Sequence, residues 1–294
     1  GFYPRDALKP SIYRRIRTRQ GNADPLNRLI ALLEELWPSD GEVKAIGMAA
    51  PGFVEPYQGV VFFSPNIPEW ANLPLKDRIQ GHFSTPTALG NDANLAALAE
   101  SRFGAGQGAD QMIYLTISTG IGAGVISDGR LVLGARGLAT ELGHMTILPD
   151  GPLCGCGKRG HLEALASGTA IARYVHEKLE EGAPSKLAGQ GEVTAKQVGQ
   201  AAVEGDSLAI EALTTAGHYL GIGLAELLHI FNPSLIVMGG GVSVSLDFLM
   251  HPMLASIEER IISPEYTRDL RIIPSALGDN AGLLGALALA QQLP

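Results

Sequence analysis

Cysteine is scarce in this chain, with two in 294 residues. They stand one residue apart, at Cys154 and Cys156, a spacing that does not suit the geometry of a disulfide. A reducing cytoplasm fits that usage. Positive charge is also in deficit: 22 Lys and Arg against 30 Asp and Glu leave a net charge of −8. That argues against a nucleic-acid surface, which needs a basic footprint. The one basic cluster, Arg14, Arg15, Arg17 and Arg19 in SIYRRIRTR, alternates like a solvated strand face. Long apolar runs are missing too. The longest, Leu220 to Phe231, contains Glu226 and His229, so no membrane span is expected. Nothing in the opening residues reads as a signal peptide.

With 46% hydrophobic and 18% charged residues, the chain folds around a substantial core, as one large or two ordinary domains. Asp24-Pro25 is a helix start, an acceptor followed by Pro at the first helical position, and Leu26, Leu29, Ile30, Leu33 and Leu36 then recur at helical spacing. Strands are predicted over 43–51, in GVVFFSPNI, in TPTALGNDAN (85–94) running into a turn, over 111–118, over 234–240 and in DLRIIPS. TGIGAG after residue 118 reads as a turn, VIS as a strand, DG as a hairpin turn and RLVLG as a further strand. Helices are predicted over 93–103, over 162–182 unbroken, and over 194–204, 207–231, 246–262 and 280–292. Strands alternating with helices make the class α/β.

The most concentrated chemistry lies in ELGHMTILPDGPLCGCGKRGHLE, Glu141 to Glu163. His144, Cys154, Cys156 and His161 suggest a four-ligand zinc site, since zinc favours thiolate and imidazole donors and a glycine-rich loop can wrap an ion. With all four positions filled by protein, such a site is structural rather than catalytic. The segment LTISTGIGAGV, 115–125, holds Thr119, Gly120 and Gly122. A strand running into T-G-x-G-x-G aims backbone N–H groups at an anion, yet this is neither a P-loop nor a dinucleotide fingerprint; a ligand-free hairpin explains it equally well. Asn91-Asp92 lies at a strand-to-helix junction. There Asp92 reads either as a helix N-cap or as a carboxylate that accepts a substrate proton during phosphoryl transfer, the helix N-terminus favouring its ionised form. MGGGVS, with Gly239, Gly240 and Gly241, follows a buried strand and is either a tight turn or a place of close ligand approach. The set Asn91, Asp92, Glu141, His144 and Glu163 suits a polyhydroxylated ligand.

Together these segments resemble the ROK family of sugar kinases and repressors, above all its bacterial glucokinase-like members. ISTGIGAGV, Gly134 and Thr140-Glu141-Leu142-Gly143-His144 follow the family's signature order, CGCGKRGHLEALASG is similar to its zinc loop and following helix, and GMAAPGFVE, PNIPEW, GNDAN, NPSLIVMGGGVS and DNAGLLGAL resemble its other landmarks. The resemblance implies a two-lobed, actin-like, hexokinase-type α/β fold with a cleft between the lobes. The small lobe is expected over 1–91, with 279–294 returning to it, and the larger over 92–278. It implies transfer of the ATP γ-phosphoryl to a hexose, glucose foremost, with Mg²⁺ and a structural Zn²⁺. By the same resemblance Asp92 is the base, Asn91, Glu141, His144, Glu163 and Gly52 lie at the sugar, Thr119, Gly120 and Gly122 hold phosphate, and Gly239 to Gly241 border the adenosine. His144 would serve zinc through one ring nitrogen and sugar through the other. A cytoplasmic homodimer, without nucleic-acid or membrane partners, completes the expectation.

Two features depart from the family pattern. The zinc loop commonly ends in Cys where this chain has His161, which gives two thiolates and two imidazoles. The family's Asp-x-Gly-Gly-Thr phosphate hairpin is not in the sequence; its expected place is just before Gly1, and GFYPRDALKPSIYRRIR reads as the second half of a hairpin. The chain is accordingly read as a fragment, with phosphoryl transfer severely impaired if that loop is truly absent. The alternatives are an N-acetylmannosamine or mannose kinase, a sugar-sensing repressor-type protein, and a zinc-stabilised sugar-binding protein without catalysis.

Overall fold

A computed structural model describes residues 1–19 and 23–294. In chain order the elements are α1 (Pro25–Leu36), β1 (Ile46–Ala50), β2 (Phe53–Glu55), β3 (Val60–Phe63), α2 (Leu75–Phe83), β4 (Thr87–Asn91), α3 (Asp92–Phe103), β5 (Met112–Ile117), β6 (Ile121–Ser127) and β7 (Arg130–Leu131). There follow α4 (Leu162–Ala166), α5 (Gly168–Glu180), α6 (Ala195–Val203), α7 (Ser207–Phe231), β8 (Leu235–Gly239), α8 (Leu246–Arg260), β9 (Arg271–Pro274) and α9 (Ala281–Ala290).

Two cores form. The smaller gathers Leu26, Ile46, Met48, Val54, Val61, Trp70, Leu75, Ile79 and Leu89 around the parallel pair β1–β4 and the antiparallel pair β2–β3. The larger surrounds a five-stranded sheet in the order β7-β6-β5-β8-β9, parallel through β5, β8 and β9 and antiparallel at β6 and β7. Strand β8, between β5 and β9, is buried along its whole length, as a strand covered on both faces should be. Between these bodies lie α3 and α9, locked by glycine. A Cβ on Gly285 would fall 2.0 Å from the Leu95 carbonyl oxygen, and one on Gly47 would fall 1.9 Å from that of Ala286. The backbones therefore touch where side chains would hold them apart, and α9 closes against both α3 and β1. No helix among the described residues is long and apolar enough to cross a membrane.

Several local expectations are corrected. SIYRRIR is not a strand: only Ile12 bridges, to Phe2, and the arginines run exposed over the smaller body, Arg14 meeting Glu35 at 2.7 Å and Arg19 meeting Glu69 at 2.9 Å. The predicted strand RLVLG shrinks to Arg130–Leu131. The helix expected over 162–182 breaks at Ser167, whose backbone is extended and whose Oγ accepts the Ala170 N–H at 3.2 Å. A serine able to cap competes with helix continuation. The predicted turn TGIGAG is mostly strand: Gly122 and Gly124 belong to β6, and a Cβ at either would meet Ala93 or Ala97 of α3 at 3.0 and 2.6 Å. Those two glycines let the helix lie close on the sheet.

Candidate functional site

Asn91 ends β4 and Asp92 begins α3. The N-cap is Asn91, not Asp92. The Asn91 Oδ1 accepts the N–H groups of Ala93 and Asn94 at 2.9 and 3.1 Å, and its Nδ2 donates to the Gly52 carbonyl at 3.0 Å. With the cap filled by Asn91, the Asp92 carboxylate keeps one local contact, accepting the Ala93 N–H at 2.9 Å, and is otherwise open. Gly52 is held from the other side too. Its φ is +94°, and a Cβ there would fall 2.2 Å from the Phe63 carbonyl oxygen, so no other residue fits without displacing β3.

The helix terminus was expected to favour ionised Asp92. The net effect runs the other way. Desolvation by the surrounding protein raises its pKa above the ordinary 3.8, outweighing the backbone hydrogen bond from Ala93. Asp92 is nonetheless exposed to solvent, so protein replaces only part of its hydration. Glu141 is raised as well, first by desolvation and then by the negative charges of Asp92 and Glu163, with His144 opposing. Glu141 thus lies within electrostatic reach of Asp92, His144 and Glu163.

The loop 145–160 folds back so that His144 Nδ1 lies 3.7 Å from Cys154 Sγ and His161 Nδ1 lies 3.2 Å from Cys156 Sγ. All four donor atoms fall within 4.8 Å of one another. Bond lengths of about 2.3 Å to sulfur and about 2.0 Å to nitrogen imply tetrahedral edges of about 3.3–3.8 Å, so the set fits a zinc-sized ion. Chemistry agrees. Burial, with the Glu163 carboxylate beside it, pushes the Cys154 thiol up to about 12; a thiolate there needs a cation. His161, buried, is held below the usual imidazole range by desolvation and by His144. Both imidazoles turn Nδ1 to the cluster, which leaves each Nε2 free of it.

Glu163 joins this cluster to the sheet. Its Oε1 accepts from the Cys154 thiol at 3.4 Å and its Oε2 accepts the Ile121 N–H at 3.0 Å. Gly120 passes so close that a Cβ would stand 2.3 Å from Oε2. The turn that remains of the predicted glycine loop, Ser118 to Gly120, is closed by the Ser118 N–H to the Gly120 carbonyl at 2.9 Å. It is buttressed by α5, whose Thr169 hydroxyl donates to the Thr119 carbonyl at 2.7 Å. Thr119 is exposed there, whereas Gly122 is not in the turn. The three glycines after β8 also divide. A Cβ at Gly239 would strike the Tyr114 hydroxyl at 2.4 Å, and one at Gly240, with φ +84°, the Ile117 carbonyl at 2.3 Å; around Gly241 there is open space.

Three residues to which the sequence reading gave no role complete the site's frame. The Thr140 hydroxyl donates to the buried Asn94 Oδ1 at 3.1 Å, with Thr140 in the left-handed region at φ +69°. The Tyr57 hydroxyl donates to the Gly134 carbonyl at 2.9 Å. Thr140 and Asn94 lie in the segments TELGH and GNDAN that carry the family resemblance, which was a usable signal; Tyr57 carried none.

The model of the ROK family matches residues 10–293. Thermotoga maritima glucokinase is 38% identical over 277 residues, 92% of this chain and 86% of that protein. A ROK family glucokinase from Streptomyces griseus, solved with glucose and AMPPNP, superposes with a TM-score of 0.78 at 36% identity, over 92% of this chain and 88% of that one. A ROK family transcriptional regulator, homologous to an E. coli protein, superposes at 0.84 with 34% identity, over 90% of this chain and 68% of that one. The fold is thus the two-lobed, actin-like α/β fold of the hexokinase type.

Proposed function

The chain belongs to the ROK family, and on that footing we propose that it transfers the γ-phosphoryl group of ATP to a hexose hydroxyl, glucose to glucose 6-phosphate foremost. The observation that carries this reading is the Asp92 carboxylate, released from capping duty by Asn91 and facing the charged groups of Glu141 and Glu163. A sugar sensor has no need of such a base. In the proposed reaction a sugar hydroxyl oxygen attacks the γ-phosphorus, the bond from that phosphorus to the ADP oxygen breaks, and the hydroxyl proton passes to Asp92.

Around that step Asn91, Glu141, His144 and Glu163 bind sugar hydroxyls and Gly52 borders the ring. Thr119 and Gly120 face the phosphates, while Gly122 supports them from beneath α3. Gly241 borders the adenosine, with Gly239 and Gly240 shaping the turn that presents it. Mg²⁺ accompanies ATP and screens its phosphates. His144, Cys154, Cys156 and His161 would hold Zn²⁺, which supplies a structural cross-link. The cross-link keeps His144 and Glu163 in place, and ligation through Nδ1 leaves His144 Nε2 to meet the sugar. We assign residues 1–91 and 279–294 to the small lobe and 92–278 to the large one, and place the protein in the cytoplasm as a homodimer without nucleic-acid partners.

Repressors of the family form the second reading, since a Bacillus subtilis xylose repressor is 35% identical over 82% of this chain and 59% of that protein. A coupled ADP-release assay across glucose, mannose, N-acetylmannosamine, N-acetylglucosamine and fructose decides between them. Turnover with glucose above the others is expected. Tight sugar binding without ADP release would favour the sensor, and preference for N-acetylmannosamine would replace the substrate.

A further inference from the structure

The turn between β2 and β3 is unusually well built for an exposed loop. Glu55 is 4% exposed, and its carboxylate accepts the N–H groups of Tyr57 and Gln58 at 3.1 and 2.7 Å, while its carbonyl accepts the Gly59 N–H at 2.9 Å. A buried carboxylate with this many donors fixes the turn's shape. What the turn presents is Pro56 and Tyr57, and both meet the opposite lobe. Tyr57 donates to the Gly134 carbonyl at 2.9 Å. Pro56 packs on Gly137, where φ is +71° and a Cβ would lie 2.0 Å from the proline Cδ.

The segment receiving these contacts is a closed loop, joined at its neck by the Ala139 N–H to the Leu133 carbonyl at 3.1 Å. It leads directly into Thr140, strained into the left-handed region and tied to Asn94, and then into Glu141. The chain before Glu141 is thus pinned at Gly134, Gly137 and Thr140, and the first two pins come from the small lobe. Nothing in the reaction proposed above uses Tyr57.

We propose that Tyr57, seated by Glu55 and assisted by Pro56, is a positioning residue that holds the 134–140 loop and thereby sets Glu141 against the sugar. This rests on the kinase reading for the role of Glu141, but the mechanical link stands on the contacts alone. It also makes sugar affinity depend on the approach of the two lobes, because one lobe supplies the donor and the other carries the sugar-facing carboxylate.

The test is Tyr57→Phe, which deletes one hydroxyl and keeps the ring. Amide hydrogen exchange over residues 134–141 should speed up severalfold with the melting temperature unchanged; unaltered exchange there would overturn the link. By calorimetric titration the variant should bind glucose about fivefold more weakly, as expected for one lost neutral hydrogen bond. Its kcat should change by no more than about twofold, and the KM for ATP should not move. In a Glu141→Gln background the same change should have no further effect on glucose affinity, and additive losses would overturn the assignment to Glu141. Gly137→Ala, which drives a methyl into Pro56, should reproduce the exchange signature. A wild-type protein inactive on every sugar would sink the kinase reading instead, and the exchange experiment would still decide the link.

Discussion

The Cys154 thiol donates to the Glu163 carboxylate, Sγ to Oε1 at 3.4 Å. One side chain belongs to the four-donor cluster and the other reaches the sheet, so the two are coupled: a bound metal would take the thiol proton and end this hydrogen bond, changing what Glu163 Oε1 meets. Glu163 is held on its second oxygen by the Ile121 N–H. Disturbing the cluster therefore reaches both Glu163 and the Ser118–Gly120 turn.

From that coupling, metal analysis of freshly purified protein should find about one zinc per chain. Chelation should lower the melting temperature by several degrees and weaken glucose binding about 10-fold or more, as loss of an organised ligand sphere does. His161→Ala should lose the metal, whereas His161→Cys should keep it. A protein purified without zinc and indifferent to chelator would remove the four-ligand site.

Asp92→Asn should cut kcat by about 10²–10⁴-fold, the usual contribution of a general base, with the glucose dissociation constant within about threefold of wild type. Asn91 caps α3 in either variant, so the helix start survives. Full activity in the variant, read by ADP release, would exclude Asp92 from the chemistry.

The pH dependence follows from the same residue. Burial raises the Asp92 pKa above 3.8, and in the proposed role of base it works only when ionised. Activity is therefore present above that raised value and lost as pH falls through it. The acid limb of kcat/KM for glucose should have its midpoint above 3.8 and should persist in Glu141→Gln. A limb at or below the ordinary aspartate value would contradict the desolvation of Asp92.

The three glycines after β8 should separate by function. At Gly240, where φ is +84° and a Cβ would strike Ile117, Ala should cost more than about 1 kcal/mol of stability. At Gly241, with open space around it, Ala should leave the melting temperature unchanged and raise the KM for ATP. Equal effects of the two changes, in thermal melts and in ATP titrations, would refute the division.

Much of this was legible beforehand. Helical spacing in α1, the buried runs of β5 and β8 and the Asp24-Pro25 start all stand where the pattern put them. The clustering of the four candidate donors could be read because they lie within 18 residues of one another in sequence, close enough for a single loop to collect them. The failures share a cause. SIYRRIR alternates like a strand but finds no partner strand beyond one bridge, and alternation only proposes what a neighbour must supply. Ser167 broke a helix that periodicity carried through, because its side chain offered the backbone an alternative bond.

What the sequence by itself determined is the local grammar and the chemical inventory: where strands give way to helices, which residues can ligate a metal, and that Asn91-Asp92 begins a helix. What only the tertiary structure decided is how contacts are shared between distant segments. Asn91 rather than Asp92 caps α3, Gly122 serves packing rather than the turn, and Tyr57 reaches Gly134, 77 residues away. Each of these depends on which backbone atom a second segment brings within about 3 Å, and such proximity is a property of the folded chain that spacing along it does not encode.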